Sequence, residues 1–265
     1  MVQTRLVSQE LPYLRRYARV LTGSQKSGDA YVRATLEALL EGGAELLDGP
    51  TPRVAVYRAF HVIWSNPMNR DDRLRDADGA LSSPDRRLQA LPPLDREAML
   101  LTMVEGFSPA DAAEILGCEV SEVDRLLSMA QRSLEQQLRT RVLIIEDESV
   151  IALDLARILR QLGHDVVGMA ATKSEAVRLA RAESPGLVLA DIRLADGSSG
   201  LDAVTEILDS IDVPVVFITA FPERLLTGER PEPTYLITKP FPADTVIATI
   251  GQALFFHPSE ERQAS

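Results

Sequence analysis

Four short, uninterrupted apolar runs in the second half of the chain limit the folds that it can adopt. These runs cover 142–145, 187–190, 215–218 and 235–237, and a weaker fifth run covers 166–169. Runs without polar alternation are typical of strands that are buried on both faces of a parallel sheet. Helical patterns separate them at about 149–162, 173–183 and 200–211, and a last one follows at 243–255. The alternation predicts an α/β doubly wound domain at 140–265.

The first half of the chain has helical periodicity instead. Its apolar residues recur three and four positions apart, as in the stripe formed by Leu14, Tyr17 and Leu21. Further amphipathic patterns cover about 28–41 and 52–64. These patterns predict an all-α domain at 1–139.

The segment at 66–84 differs from both halves of the chain. Its central stretch, 69–79, is highly charged and nearly free of apolar residues, so we expect a mobile linker there. Helical periodicity resumes at about 85 and continues to 138, with interruptions at Gly106 and Gly117. Because 138 leads almost directly into the strand at 142, we expect the two domains to be closely apposed.

Composition limits where the protein can work. Apolar residues make up 45% of the chain and charged residues 25%, as in soluble globular proteins. No apolar run approaches the roughly 18 residues of a membrane-spanning helix, and no signal-peptide pattern opens the chain. Cys118 is the only cysteine, so no intramolecular disulfide can form. We therefore expect a cytoplasmic protein without membrane association.

The charge distribution argues against a nucleic-acid partner. The net charge of −11 divides into −3 for 1–139 and −8 for 140–265. Neither half has the basic excess that drives binding to phosphate backbones. Composition thus disfavours DNA binding by either domain.

Polar residues follow the predicted strands at the points where the strands end. Glu146 and Asp147 follow the run at 142–145, Asp191 follows the run at 187–190 and Thr219 follows the run at 215–218. Lys239 lies two positions after the run at 235–237. Ligands of open parallel sheets bind at the carboxyl ends of the strands. We therefore expect these five side chains to converge on one site.

This set of residues is suited to holding a phosphoryl group. Clustered carboxylates repel one another unless a cation intervenes, and oxygen ligands favour Mg²⁺ or another hard divalent cation. The Asp191 carboxylate can attack a donor phosphate in line. The metal, the Lys239 ammonium and the Thr219 hydroxyl can then neutralise the phosphoryl charge.

Residues 141–255 resemble the receiver domain of two-component response regulators, which has a flavodoxin-like fold. The resemblance implies that Asp191 is the phosphoacceptor and that Glu146 and Asp147 bind the metal. It also implies that the backbone carbonyl of Arg193 contacts the metal, that Thr219 and Lys239 are switch residues, and that the bond before Pro240 is cis. A sensor histidine kinase or a phosphotransfer protein would supply the phosphoryl group.

The sequence departs from the receiver pattern at two places. Receivers commonly carry a switch aromatic three residues before the lysine, whereas this chain has Leu236 there and Tyr235 one position earlier. The stretch 220–233 is rich in proline and does not fit a full helix. The usual coupling between the threonine and that aromatic therefore cannot be assumed.

The helical half contains a helix-turn-helix pattern. Ser108 and Pro109 are typical of a helix start, and Gly117 interrupts the pattern before a second helix that begins near Val120. Residues 85–139 resemble region 4 of extracytoplasmic-function sigma factors, and residues 5–65 more loosely resemble region 2. This comparison indicates a sigma-like effector domain.

The second helix of the motif lacks the charge of a DNA reader. Glu122 and Asp124 balance Arg125 and Arg132, so 121–133 has no net charge. Carboxylates at the end that would enter the groove disfavour contact with phosphates and base-edge acceptors. We therefore expect no DNA binding.

A sigma-like half followed by a receiver resembles the PhyR-type general stress response regulators of alphaproteobacteria. The resemblance implies an anti-anti-sigma factor: phosphorylation at Asp191 opens the chain, and the sigma-like domain captures a NepR-like anti-sigma factor and releases the stress sigma factor.

Two other functions remain open. The first is a DNA-binding transcriptional response regulator, and the second is an enzyme. The enzyme is disfavoured because the helical half has no nucleophile–base pair and because His61, His164 and His257 are scattered without Cys or Glu partners.

Overall fold

The computed structural model describes residues 2–42, 50–66, 81–194, 196–222 and 234–257, and for residues 2–8 and 42 only the backbone. The chain forms two compact units, Met1–Leu134 and Glu135–Ser265. Much of the predicted linker at 66–84 lies outside the described residues, and the next described helix begins at Ser83. Among the described helices, none is both long enough and apolar enough to cross a membrane.

Helices make up the described part of the first unit. They are α1 (Val2–Thr22), α2 (Gln25–Gly42), α3 (Pro52–Ser65), α4 (Ser83–Gln89), α5 (Pro93–Met99), α6 (Pro109–Leu116) and α7 (Val120–Gln137). A π-helical turn at Leu100–Val104 continues α5. Helix α6 begins as predicted, because the Ser108 side chain caps it by accepting a hydrogen bond from the Asp111 N–H. It ends at Gly117, whose φ of 65° is left-handed.

One hydrophobic core joins the early and late helices of the first unit. Tyr17 from α1 lies 5.2 Å from Tyr57 of α3, measured between ring centroids, and Tyr57 lies 4.9 Å from Phe107. Leu101 of the π-helical turn and Ile115 of α6 belong to the same buried cluster. The helices before and after the predicted linker therefore fold as one unit rather than as two separate cores.

A buried carboxylate lies beside this core. The Glu105 side chain is fully buried directly after the π-helical turn. It accepts hydrogen bonds from Tyr57 Oη at 2.8 Å and from Arg16 Nη2 at 2.9 Å. Arg53 Nη2 donates to the Glu105 carbonyl at 2.8 Å. Burial, together with the neighbouring Glu105, raises the pKa of Tyr57, so this hydroxyl remains a donor.

The second unit has the predicted α/β architecture. The described residues of this unit form a sheet of five parallel strands in the order β2-β1-β3-β4-β5. The strands are β1 (Arg141–Ile145), β2 (Asp165–Ala170), β3 (Leu187–Ala190), β4 (Val215–Thr219) and β5 (Leu236–Thr238). The helices are α8 (Ser149–Gln161), α9 (Lys173–Glu183), α10 (Gly200–Leu208) and α11 (Ala243–Phe256). The fifth strand begins at Leu236, one residue later than the apolar run predicts.

The sheet separates two cores, which explains the uninterrupted apolar runs. Val142 and Ile144 of β1 face one buried cluster, whereas Leu143 and Ile145 face the other. All four side chains are fully buried. Successive side chains of a strand point to opposite faces, so a strand covered on both faces must be apolar at every position.

The loop after β3 turns back tightly onto that strand. The Gly200 N–H donates to the Ile192 carbonyl at 2.9 Å, and Arg193 forms an isolated antiparallel bridge with Ser199. A Cβ atom at Gly200 would lie 1.7 Å from the Asp191 carbonyl oxygen. Only glycine can therefore begin α10 this close to Asp191.

We expect the Glu105→Ala substitution to lower the free energy of unfolding of the first unit by about 3 kcal/mol, because it removes the buried carboxylate that accepts hydrogen bonds from the Tyr57 hydroxyl and the Arg16 guanidinium. Urea unfolding followed by fluorescence of Trp64 measures this, since Trp64 is the only tryptophan and is buried in that unit. The matched control is Glu114→Ala, whose exposed ion pair with Arg58 contributes less than about 1 kcal/mol. Equal losses in the two variants would contradict a special role for the buried carboxylate.

We expect Gly200→Ala to destabilise the second unit by about 3 kcal/mol or more, because the added methyl group overlaps the backbone at Asp191. Urea unfolding followed by far-ultraviolet circular dichroism measures the effect, with Trp64 fluorescence as the reference for the first unit. Gly251→Ala is the control. A Cβ at Gly251, within α11, meets nothing within 4 Å, so alanine should stabilise the helix by about 0.5–1 kcal/mol. Wild-type stability in Gly200→Ala would show that the loop can move aside.

Candidate phosphorylation site

The sheet itself positions the acidic residues. The Glu146 N–H donates to the Ala170 carbonyl at 2.9 Å, and the Asp191 N–H donates to the Ile145 carbonyl at 2.8 Å. These bonds extend the parallel ladder by one residue beyond β1 and β3. Glu146 and Asp191 are therefore held side by side at the carboxyl edge of the sheet, with 4% and 8% of their surfaces exposed.

Lys239 connects the two buried carboxylates. Its Nζ lies 2.7 Å from Glu146 Oε2 and 2.7 Å from Asp191 Oδ2, and its side chain is only 10% exposed. Its backbone N–H donates to the Thr219 carbonyl at 2.9 Å, which fixes the end of β5 against β4. The peptide bond between Lys239 and Pro240 is cis.

The pKa shifts of Glu146 and Lys239 follow from burial and hydrogen bonding. Burial raises the pKa of Glu146 and the nearby Asp191 adds to that effect, whereas Lys239 acts in the opposite direction without cancelling it. Burial also lowers the pKa of Lys239, but its hydrogen bonds to Asp191 and Glu146 outweigh this and leave the pKa raised. Lys239 is therefore a firmly protonated cation at neutral pH.

Asp147 completes an acidic pocket. Ligand oxygens of Glu146, Asp147 and Asp191 all lie within 4.8 Å of one another. The donor set contains only carboxylate oxygens, which suits a hard divalent cation. The pocket is thus consistent with a Mg²⁺ site. The Arg193 N–H donates to Asp191 Oδ1 at 3.3 Å, while a contact of the Arg193 carbonyl with a metal remains a prediction.

Thr219 lies at the end of β4 and is fully buried. Its Oγ1 accepts a hydrogen bond from the Phe221 N–H at 3.2 Å. The structure therefore brings together Glu146, Asp147, Asp191, Thr219 and Lys239 at adjoining strand ends, as the sequence predicts.

An open cleft of about 400 Å³ lies over the acidic residues. Arg193 and Phe221 line this cleft, with the Arg193 guanidinium carbon 5.0 Å from the centroid of the Phe221 ring. Glu148 also lines it, 3.7 Å from Lys239 Nζ. Glu148 and Phe221 left only positional signals in the sequence, since Glu148 directly follows the acidic pair and Phe221 lies two positions after Thr219.

The aromatic residue next to the expected switch position has another partner. Tyr235 Oη donates to the Gln252 carbonyl of α11 at 3.4 Å, and Leu236 packs against the core on the other side of the sheet. The proline-rich segment predicted not to form a helix lies largely outside the described residues, which stop at 222 and resume at 234.

The motif predicted in the helical half is present as α6 and α7. On the exposed start of α7, Arg125 makes a two-point ion pair with Glu122, with N–O distances of 2.8 and 2.6 Å. The hydrogen bond from Arg125 lowers the pKa of Glu122, so that carboxylate stays charged. The one arginine near the helix start is thus already engaged by an acidic neighbour.

The expectation that the histidines have no Glu partner was wrong for His61. His61 lies against a carboxylate, with Nδ1 2.9 Å from Glu97 Oε1. The two residues are 36 positions apart, so their spacing in the sequence could not indicate the contact. Tyr17 Oη also donates to that oxygen at 3.4 Å, which places the pair in the core of the first unit.

Comparison with protein families divides the chain in the same way. Residues 7–61 match the sigma2 domain of PhyR, residues 88–137 match the sigma-like domain of the response regulator PhyR, and residues 142–251 match the response regulator receiver domain. The transcriptional regulatory protein PdtaR of Mycobacterium tuberculosis is 39% identical over 117 residues, which are 43% of this chain and 56% of PdtaR.

Two relatives extend the likeness to nearly the whole chain. The phyllosphere-induced regulator PhyR of Methylorubrum extorquens is 50% identical over 264 residues, which cover 99% of this chain and 98% of that protein. A co-crystal structure of the anti-anti-sigma factor PhyR complexed with the anti-sigma factor NepR, from Bartonella quintana, is 46% identical. It covers 96% of this chain and 98% of its own, with a TM-score of 0.73. Because both the sigma-like segments and the receiver match along almost the full length, this chain belongs to the PhyR family of response regulators.

Proposed function

We propose that this chain is an anti-anti-sigma factor that captures a NepR-like anti-sigma factor when Asp191 is phosphorylated. The observation that carries the proposal is the bridge of Lys239 Nζ to Glu146 and Asp191, both at 2.7 Å, beside the acidic pocket. This geometry suits an aspartate that accepts a phosphoryl group. The PhyR chain of Bartonella quintana resembles this chain and was crystallised in complex with NepR, which supports the choice of partner.

Phosphorylation requires little covalent chemistry from the protein. One oxygen of the Asp191 carboxylate attacks the phosphorus of the donor, and the bond from phosphorus to the leaving group breaks. The leaving group departs with the electron pair. Lys239 positions Asp191 and faces the incoming negative charge, and the Thr219 hydroxyl donates to a phosphoryl oxygen.

A divalent cation, bound by Glu146, Asp147, Asp191 and the Arg193 carbonyl, would neutralise the remaining phosphoryl charge. The residues present fit such an ion because three carboxylates converge within 4.8 Å. The donor is proposed to be a sensor histidine kinase or a phosphotransfer protein. The chain acts as a phosphoacceptor that assists its own modification rather than as a conventional enzyme.

The charge of the sigma-like half favours a protein partner over DNA. Arg125 at the start of α7 is paired with Glu122, and the helix carries no net positive charge. An anti-sigma factor that normally binds sigma factors needs only the shape and apolar surface of a sigma-like fold. We infer that a helical segment of the partner lays its apolar side chains against that surface.

Phosphorylation is proposed to make the sigma-like half available. A phosphoryl group shifts an equilibrium between two states only by its difference in free energy between them, about 5.5 kcal/mol for a change from 1:99 to 99:1. Helix α7 ends at Gln137 and β1 begins at Arg141, so few residues could absorb a rearrangement of the receiver. Because such coupling is reciprocal, a partner that binds the phosphorylated chain more tightly must in turn stabilise the phosphorylated state.

We expect incubation with acetyl phosphate and Mg²⁺ to add one phosphoryl group to the wild-type chain and none to Asp191→Asn, as measured by intact mass spectrometry. Asp209→Asn, which changes an exposed carboxylate after α10, should behave like the wild type. Removal of divalent cations with EDTA should abolish uptake. Undiminished uptake by Asp191→Asn would assign the phosphoryl group to another residue.

We expect the phosphorylated full-length chain to bind the NepR of Bartonella quintana at least about tenfold more tightly than the unphosphorylated chain, a difference of about 1.4 kcal/mol. Isothermal titration calorimetry measures both affinities, with Asp191→Asn as the control that gains nothing from acetyl phosphate. Equal affinities would refute phosphate-dependent capture. Tight promoter binding that weakens steeply with salt would instead support the alternative, a DNA-binding transcriptional response regulator.

A further inference from the structure

A cation and an aromatic ring meet at the mouth of the phosphorylation cleft. The Arg193 guanidinium carbon lies 5.0 Å from the centroid of the Phe221 ring. Arg193 follows β3 and Phe221 follows β4, two strands that are paired in the sheet. Arg193 is exposed and Phe221 is 37% exposed, so the stack lies at the surface above Asp191.

Each member of the stack is also bonded to a group that phosphorylation would engage. The Arg193 N–H donates to Asp191 Oδ1 at 3.3 Å. The Phe221 N–H donates to Thr219 Oγ1 at 3.2 Å. Phe221 is therefore connected to the site twice, through its ring to Arg193 and through its backbone to Thr219.

A phosphoryl group on Asp191 competes for both connections. It replaces one negative charge with nearly two and adds strong acceptor oxygens. Of the described residues that line the cleft, Lys239 and Arg193 are the cations, and Lys239 already contacts Glu146 and Asp191. A charge-assisted hydrogen bond from a guanidinium to phosphate is stronger than a cation–π contact at an exposed site.

Thr219 responds to the same group through its hydroxyl. A rotation of the Thr219 side chain that brings Oγ1 toward a phosphoryl oxygen would lengthen the hydrogen bond that Oγ1 accepts from the Phe221 N–H. The residues near the usual switch position have other partners, because Tyr235 Oη donates to the Gln252 carbonyl and the partly buried Leu236 packs against the core.

We propose that Phe221 is the residue that reads the phosphorylation state of Asp191. The phosphoryl group draws Arg193 away from the Phe221 ring and Thr219 away from the Phe221 N–H, so both connections are lost together and Phe221 moves. The inference rests on the proposed function, since it requires that Asp191 accepts a phosphoryl group.

Fluorine NMR of the full-length chain labelled with 4-fluorophenylalanine tests this. The chain has seven phenylalanines, and the signal that disappears in Phe221→Leu is that of Phe221. With acetyl phosphate and Mg²⁺, the Phe221 signal of the wild type should shift, and intact mass spectrometry of the same sample gives the extent of phosphorylation. In unphosphorylated Arg193→Gln, which lacks the cation, the signal should already be displaced toward the phosphorylated position.

The controls are an arginine and a phenylalanine outside the cleft. Arg181→Gln changes an exposed arginine on α9, and Phe256→Leu removes a ring that is 60% exposed on α11. Both should keep the wild-type Phe221 signal before and after phosphorylation. A Phe221 signal that stays fixed while mass spectrometry shows full phosphorylation would overturn the role of Phe221 and leave the proposed function standing. Failure of the wild type to take up a phosphoryl group would overturn the proposed function, and with it this inference.

Discussion

The receiver unit depends on one buried ammonium group. Lys239 Nζ lies between Glu146 and Asp191, and without it two carboxylates at neighbouring strand ends would face each other in a site that excludes most water. A buried ion pair of this kind contributes little net stability, because desolvation offsets most of the attraction. The role of Lys239 is to position other groups. It holds Asp191 in one orientation beside the acidic pocket and connects the ends of β1, β3 and β5.

The strands of the sheet could be located from the sequence because burial on both faces leaves a strong signal. Val142–Ile145 are apolar at every position since each faces one of two cores, and the residues after such runs must meet at one edge. The five polar residues of the site were therefore predictable from strand ends alone. The same logic did not extend to Gly200, whose need for glycine arises from a carbonyl nine positions earlier in the chain.

Contacts between distant segments were beyond sequence reasoning for a similar reason. Glu105 pairs with Arg16 and Tyr57, and His61 pairs with Glu97, across separations of 89, 48 and 36 residues. Helical periodicity indicates which face of a helix is buried but not which helix covers it. The stack of Arg193 on Phe221 likewise depends on how two loops leave adjoining strands, and no spacing in the sequence records that.

The π-helical turn at Leu100–Val104 has a consequence for how the sigma-like half can vary. Such a turn holds one residue more than an α-helical turn, so each of its residues rotates the chain by less than the 100° of a regular α-helix. The extra residue is therefore absorbed within the turn, and Glu105 lies on the helix face from which it meets Arg16 and Arg53. Removing one residue from Leu100–Val104 would restore a regular α-helical turn and keep Glu105 on that face, so at this point the fold should accept a change in length more readily than the loss of the Glu105 carboxylate.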